Sequence, residues 1–342
     1  LDNQGGLVFS RVARSATGFD GITEGSRGSY CASLTGETYI DLSGLSLVAR
    51  ADKAGEVMIL SEADLGRSDR VHGVAIRGSG SPNTVSGTYR LVSTALHLGT
   101  TGQLMTWQGH LGFTNGCITD AGSITTGGGL GVSHSYDTTI SSCFFAADGG
   151  QRVLLRLIPQ GVVNPADGIP IQWTGAIGAR GDVILLTRDD GSLRYGILIL
   201  VKDRQVDRAD LSGEFGFVSV RGGIGSSGDT VANIAPILER GIISYLPGGQ
   251  VDGALSSGDD VGPGWWWTAS NGTRYGHRII LGTILAHHSG WIARSDAFLM
   301  GWRVTEPSSP ATPQPLELTP LEGSLFFGVK ATDYLPAGGP EE

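Results

Sequence analysis

Short apolar runs, alternating in some and β-branched in others, recur along most of this chain. Examples are GTYRLVS from Gly87, VLLRLI from Val153, DVILLT from Asp182, YGILILV from Tyr195 and HRIILGT from His277. Successive strand side chains point to opposite faces, so period two with β-branched residues predicts β-strands. Turn signals separate the runs, including Asp189-Asp190-Gly191, Asp148-Gly149-Gly150 and Ser270-Asn271-Gly272, which suit hairpins. Helical spacing is nearly missing. The best candidate is TVANIAPILERG from Thr230, read as one short helix. The prediction is an all-β protein.

The runs repeat at long range. GEVMILSEADLGRSDRVHGVAI from Gly55 matches GDVILLTRDDGSLRYGILI from Gly181, and a worn third copy, GWIARSDAFLMGWRV, starts at Gly290. A short cassette follows each copy: VSGTYRLVS from Val85, LSGEFGFVS from Leu211 and LEGSLFFGV from Leu321. Gly87, Gly213 and Gly323 align in this reading, with Tyr89, Phe215 and Leu325 two positions on. So many short strands in each long unit point to a barrel or a two-layer sandwich. A propeller blade needs only about 40 to 50 residues, so a propeller is disfavoured. Over three residues, Gly-x-Tyr resembles the opening strand of lipocalin-like barrels.

The expected organisation is three consecutive repeated β-barrel or β-sandwich domains. An incomplete domain covers 1–84 and complete ones 85–210 and 211–305. A Pro-rich linker at 306–320 and a C-terminal strand and tail at 321–342 follow. Nothing upstream of Gly5 resembles the cassette, so the first domain reads as lacking a strand. The last cassette, conversely, has no unit after it. Leu321, Gly323, Leu325, Phe327 and Val329 share one face at period two and make a candidate donor strand for the first domain. Donation within the chain would close a ring of three domains. Donation between chains would link subunits head to tail, and five prolines between Glu306 and Pro320 favour this by making an extended arm of about 45 Å. The expected function is therefore a structural, pilus-like subunit of an extracellular filament or surface assembly, a homo-polymer whose partners are copies of itself. The scheme is similar in principle to that of the donor-strand pilins of bacterial surface fibres. The alternative is a secreted, self-complemented binding module for glycans or small apolar ligands.

Composition narrows the chemistry. The 342 residues include 55 glycines and carry a net charge of −9 with three lysines, so no basic stripe offers itself to nucleic acid. No apolar run is long enough for a helical membrane span. The start at Leu1, without a Met, is read as compatible with an exported, processed protein or with a fragment boundary. Cys117 and Cys143 form a possible disulfide, with buried free thiols as the other reading, and Cys31 is left over. The seven histidines are scattered and no nucleophile elbow or zinc motif occurs, so no catalytic residue, metal site or cofactor is expected. Trp265, Trp266 and Trp267 form a candidate ledge for a subunit contact or a glycan, with burial in the core as the competing role.

Overall fold

The computed structural model describes residues 6–15, 18–32, 37–41, 45–52, 55–63, 72–97, 104–120, 124–127, 133–134, 143–147, 152–157, 171–188, 194–205, 211–223, 237–255, 260–268, 275–281, 284–292, 298–304 and 322–330. Its alternating runs form three antiparallel sheets. The first contains β1 (Gly6–Ser15), β2 (Gly18–Ala32), β3 (Glu37–Asp41), β4 (Ser46–Ala51), β5 (Val57–Glu62) and β6 (His72–Ile76), an open meander in chain order.

The second sheet contains β7 (Gly87–His97), β8 (Leu104–Thr114), β9 (Cys117–Asp120), β10 (Ile124–Gly127), β11 (Ser133–His134), β12 (Phe144–Ala147), β13 (Arg152–Leu157), β14 (Ile171–Ile177), β15 (Val183–Arg188) and β16 (Arg194–Lys202). Its strand order is β11-β10-β8-β7-β16-β15-β14-β13-β12, with β9 pairing β8 off this path. The third is a closed barrel of β17 (Gly213–Gly223), β18 (Ile237–Tyr245), β19 (Gln250–Leu255), β20 (Asp260–Thr268), β21 (Tyr275–Leu281), β22 (Ile284–Ile292), β23 (Phe298–Val304) and β24 (Glu322–Lys330). The helix expected from Thr230 is not formed where the chain is described. Ile237–Gly241 lies in β18, paired with β17, because a barrel neighbour supplies hydrogen bonds that a short isolated helix cannot.

The two cassette strands open their sheets alike. Gly87 and Gly213 take positive φ (102° and 124°), where a β-carbon is strained. Tyr89 and Phe215, two residues on, are fully buried, each edge-on to a second ring: Phe113 at 5.5 Å and Tyr245 at 5.4 Å. Around Tyr89 a core of Leu91, Leu111, Phe113, Phe144, Leu155 and Trp173 fills the second sheet. Cys117 and Cys143 are joined by a disulfide across an isolated bridge, and Phe144 N donates to Gly116 O at 2.8 Å, so β9 and β12 meet and the second sheet curls upon itself.

The donor-strand expectation is corrected by the register of β24. Gly323, Leu325, Phe327 and Val329 pair with Gly222, Val220, Val218 and Gly216 of β17, and Phe327 and Val329 also face Met300 and Phe298 of β23. Leu321 lies outside the described residues, as does the Pro-rich segment. Both edges of β24 are thus engaged in its own barrel. Its counterpart is β16, since Lys202 pairs with Tyr89 as Lys330 pairs with Phe215 and both lysine stems lie over the cassette glycines. What β24 does give the first sheet is side chains. Phe327 and Val329 share a buried cluster with Val57 and Ile59 of β5, Val183 of β15, Ile199 and Val201 of β16, and Val218 of β17. All three sheets meet there, face to face.

Removing Glu322–Lys330 is expected to free the backbones of β17 and β23 and unfold the third sheet, leaving the second, stapled sheet folded. Hydrogen exchange at 213–223, 298–304 and 183–188 measures this. Replacing Cys117 and Cys143 with serine should cost about 2–4 kcal/mol in denaturant unfolding, mostly in the second sheet.

Candidate functional site

The face of the first sheet turned to the barrel carries polar as well as apolar groups. Register places Glu37, Arg50 and Ile59 on one rung across β3, β4 and β5, and Tyr39, Val48 and Ser61 on the next. Opposite them on the barrel wall lie Gly216 and Val218 of β17 and Arg240 and Ile242 of β18. Between the two walls is a cleft of about 310 Å³, within the range of small-ligand sites.

Polar contacts order this cleft. Arg50 donates from Nε and Nη2 to Glu37 Oε1 at 3.2 and 2.9 Å, and its Nη1 lies 3.8 Å from Glu214 Oε1 on the barrel. Tyr39 OH donates to Glu37 Oε2 at 3.3 Å, while its side chain remains 45 % exposed. Across the cleft, Arg240 Nη1 donates to Ser61 Oγ at 2.7 Å, tying the barrel to β5. An exposed ring beside a guanidinium–carboxylate fork, with a second guanidinium and a hydroxyl opposite, offers stacking and directional hydrogen bonding together.

Gly216 makes room for Arg50. A β-carbon there would stand 2.6 Å from Arg50 Cδ. The same cassette position in the second sheet is Arg90, which pairs with Asp203 of its own sheet at 2.7 Å. The third sheet thus carries a glycine where the second carries an arginine, and an arginine of the first sheet lies over it.

A second polar cluster lies where the first and second sheets meet. Asp52, Glu56 and Asp182 are 4 %, 5 % and 2 % exposed. Glu56 N donates to Asp52 Oδ1 at 2.6 Å and Arg180 N to Glu56 Oε1 at 3.3 Å, whereas Asp52 Oδ2 and both carboxylate oxygens of Asp182 have no hydrogen-bond partner among the described residues. Tyr89 OH donates to Gly181 O, and burial together with the Asp182 charge pushes the phenol up to about 12. Among the described residues no group of three His, Cys, Asp or Glu side chains is placed to hold a metal ion.

Of the residues expected from the sequence to form a ledge, Trp266 is buried: its ring meets Tyr245 edge-on at 6.1 Å and its Nε1 donates to Leu246 O at 2.8 Å. The side chains of Trp265 and Trp267 lie outside the described residues. Cys31 is an exposed free thiol. The cleft residues Glu37, Tyr39, Arg50, Ser61 and Arg240 were not singled out by the sequence. The one signal pointing to them was the Arg90-to-Gly216 exchange inside otherwise matching cassettes.

No protein-family model and no curated protein matches the chain. Among solved structures, the chain is similar to the glycoside hydrolase family 43 YxiA protein from Bacillus licheniformis, at 11 % identity and a TM-score of 0.24, with 89 % of this chain and 67 % of that one covered. That likeness is too slight to bear on function. No helix among the described residues is long and apolar enough to cross a membrane, which says nothing of crossing by strands.

Gly216→Val should push Arg50 away and cost about 1–3 kcal/mol in equilibrium unfolding. In the Arg50→Ala background the same change should cost clearly less, and equal costs in both backgrounds would show that the two residues are not coupled.

Proposed function

We propose that this chain is a non-catalytic binding module of an exported protein, built from repeated β-units of which the second and third match most closely, and that the cleft between the first sheet and the third barrel takes a saccharide. The observation that carries the reading is the cleft lining: an exposed Tyr39 ring, the Arg50–Glu37 fork and the Arg240–Ser61 pair. A sugar presents apolar C–H faces to a ring and hydroxyls to forked donors and acceptors, and this lining supplies both. The repeated unit is supported by the matched pairs Gly87 and Gly213, Tyr89 and Phe215, Lys202 and Lys330. Export is supported by the Cys117–Cys143 disulfide, a bond that persists in oxidising compartments.

A second reading rests on the open first sheet. Among the described residues its outer strands β1 and β6 each pair with one strand, whereas every strand of the third barrel pairs with two. Such an edge supports pairing with another copy, so a structural subunit of a surface assembly is kept as the alternative. In that case the joining edge is the first sheet rather than β24.

Titration calorimetry of the full chain against galactose, N-acetylglucosamine and glucuronate oligosaccharides should show binding to at least one. Tyr39→Ala and Arg240→Met should each weaken it about tenfold or more with little change in melting temperature. No heat with any of these sugars at millimolar concentration, or undiminished binding by both variants, would contradict the saccharide reading. Growth of particle size with concentration would favour the assembly reading.

A further inference from the structure

The carboxylates joining the first and second sheets present an electrostatic problem. Asp52 directly follows β4, Glu56 directly precedes β5, and Asp182 stands before β15 at the place matching Glu56 in the repeated Gly-Glu-Val and Gly-Asp-Val turns. All three are more than nine-tenths buried, and three of their six oxygens accept no hydrogen bond. Burying uncompensated carboxylates together is unfavourable unless a cation or a proton neutralises them.

Among the described residues, few cations face the cluster. Arg180, in the β14–β15 turn, gives its backbone N–H to Glu56, and its guanidinium lowers the cost of charge on Glu56 as the least of the influences there. Arg77, after β6, is exposed and donates its backbone N–H to Glu56 O at 2.7 Å. The stem of Lys202 lies over Gly87, and its amide donates to Asp182 O at 2.7 Å. Tyr89, on β7, adds a neutral hydroxyl already committed to Gly181 O. Asp52 and Asp182 complete the set, both negative toward Glu56.

We propose that a proton on Glu56 is the latch between the first two sheets: it removes one of three like charges buried together where the sheets meet, and its loss restores their repulsion and drives the first sheet off its seat. The proton comes from solvent and returns to it, with no other bond made or broken. A proton there leaves two buried charges in place of three. Burial foremost, and then the charges of Asp182 and Asp52, raise the Glu56 carboxyl above its ordinary value. A carboxyl raised by folding stabilises the closed state below the ordinary carboxylate range and loses that contribution as pH climbs through the raised value. The latch therefore holds in acid and loosens toward alkali. Because the first sheet forms one wall of the cleft, the inference adds proton control to the site proposed above, but the latch stands whether or not a sugar binds there.

The test reads the latch without any ligand: hydrogen exchange of the full chain at pH 5 and pH 8, corrected for intrinsic rates, at β5 and β6 with β8 as internal reference. Protection of β5 and β6 relative to β8 should be partly lost at pH 8. In Glu56→Gln, which is neutral at every pH, protection should be the same at both. Asp182→Asn, which removes the like charge, should recover part of it at pH 8. Wild-type protection independent of pH, or a pH dependence unchanged in Glu56→Gln, overturns the proposal. So does full recovery of protection at pH 8 on adding millimolar Ca²⁺, which would make a metal the neutralising species.

Discussion

The arrangement depends on strands that are apolar on both faces. In β15, Ile184 and Leu186 fill the second sheet's core while Val183 joins the cluster outside it. In β16, Leu198 and Leu200 point in while Ile199 and Val201 point out. The barrel repeats this with Phe215 and Phe217 buried on one side of β17 and Val218 on the other. A barrel wall with an apolar exterior must be covered, at about 1.5–3 kcal/mol for each large side chain removed from water. Val57 and Ile59 of β5 are among the residues that cover it. This shared contact turns three sheets into one body and brings Arg50 and Ser61 opposite Arg240.

Much of the fold was legible because local pattern and global role agree. Alternation in GTYRLVS and GEFGFVS marks strands whose Tyr89 and Phe215 point into cores, and the glycines before them take positive φ. The last cassette matches the first by composition but not by role: Gly323 aligns with Gly87 in sequence, yet the structural anchor is Lys330, which does at Phe215 what Lys202 does at Tyr89. A period-two pattern tells which residues share a face. It is silent on which edge the strand will pair with, and so a closing strand of the third sheet could be taken for a missing strand of the first. Even so, Phe327 and Val329 do bury against the first unit, through their side chains and not through their backbone.

The cleft was far less legible. Its polar residues come from β3, β4, β5 and β18, separated by up to about two hundred positions, and no spacing rule links residues that meet only when two sheets dock. The run YGILILV is apolar at successive positions, a pattern that fits burial on both faces, since a strand with a wet side alternates polar residues. It did not say what would cover the second face. Trp266 erred the other way, because a conspicuous aromatic run suggested a surface while the indole serves as a core ring with a satisfied Nε1.

One contact thus supports the cleft, its ordering by Arg50 over Gly216, and the seat that the acidic turn holds or releases. The most direct measurement is a double-mutant cycle on Ile59→Ala and Phe327→Ala by equilibrium denaturation. Face-to-face docking of β5 on the barrel wall predicts a coupling energy of about 0.5–3 kcal/mol between residues nearly 270 positions apart. Strict additivity of the two single changes would mean that the first sheet and the barrel do not share a core, and the cleft between them would lose its basis.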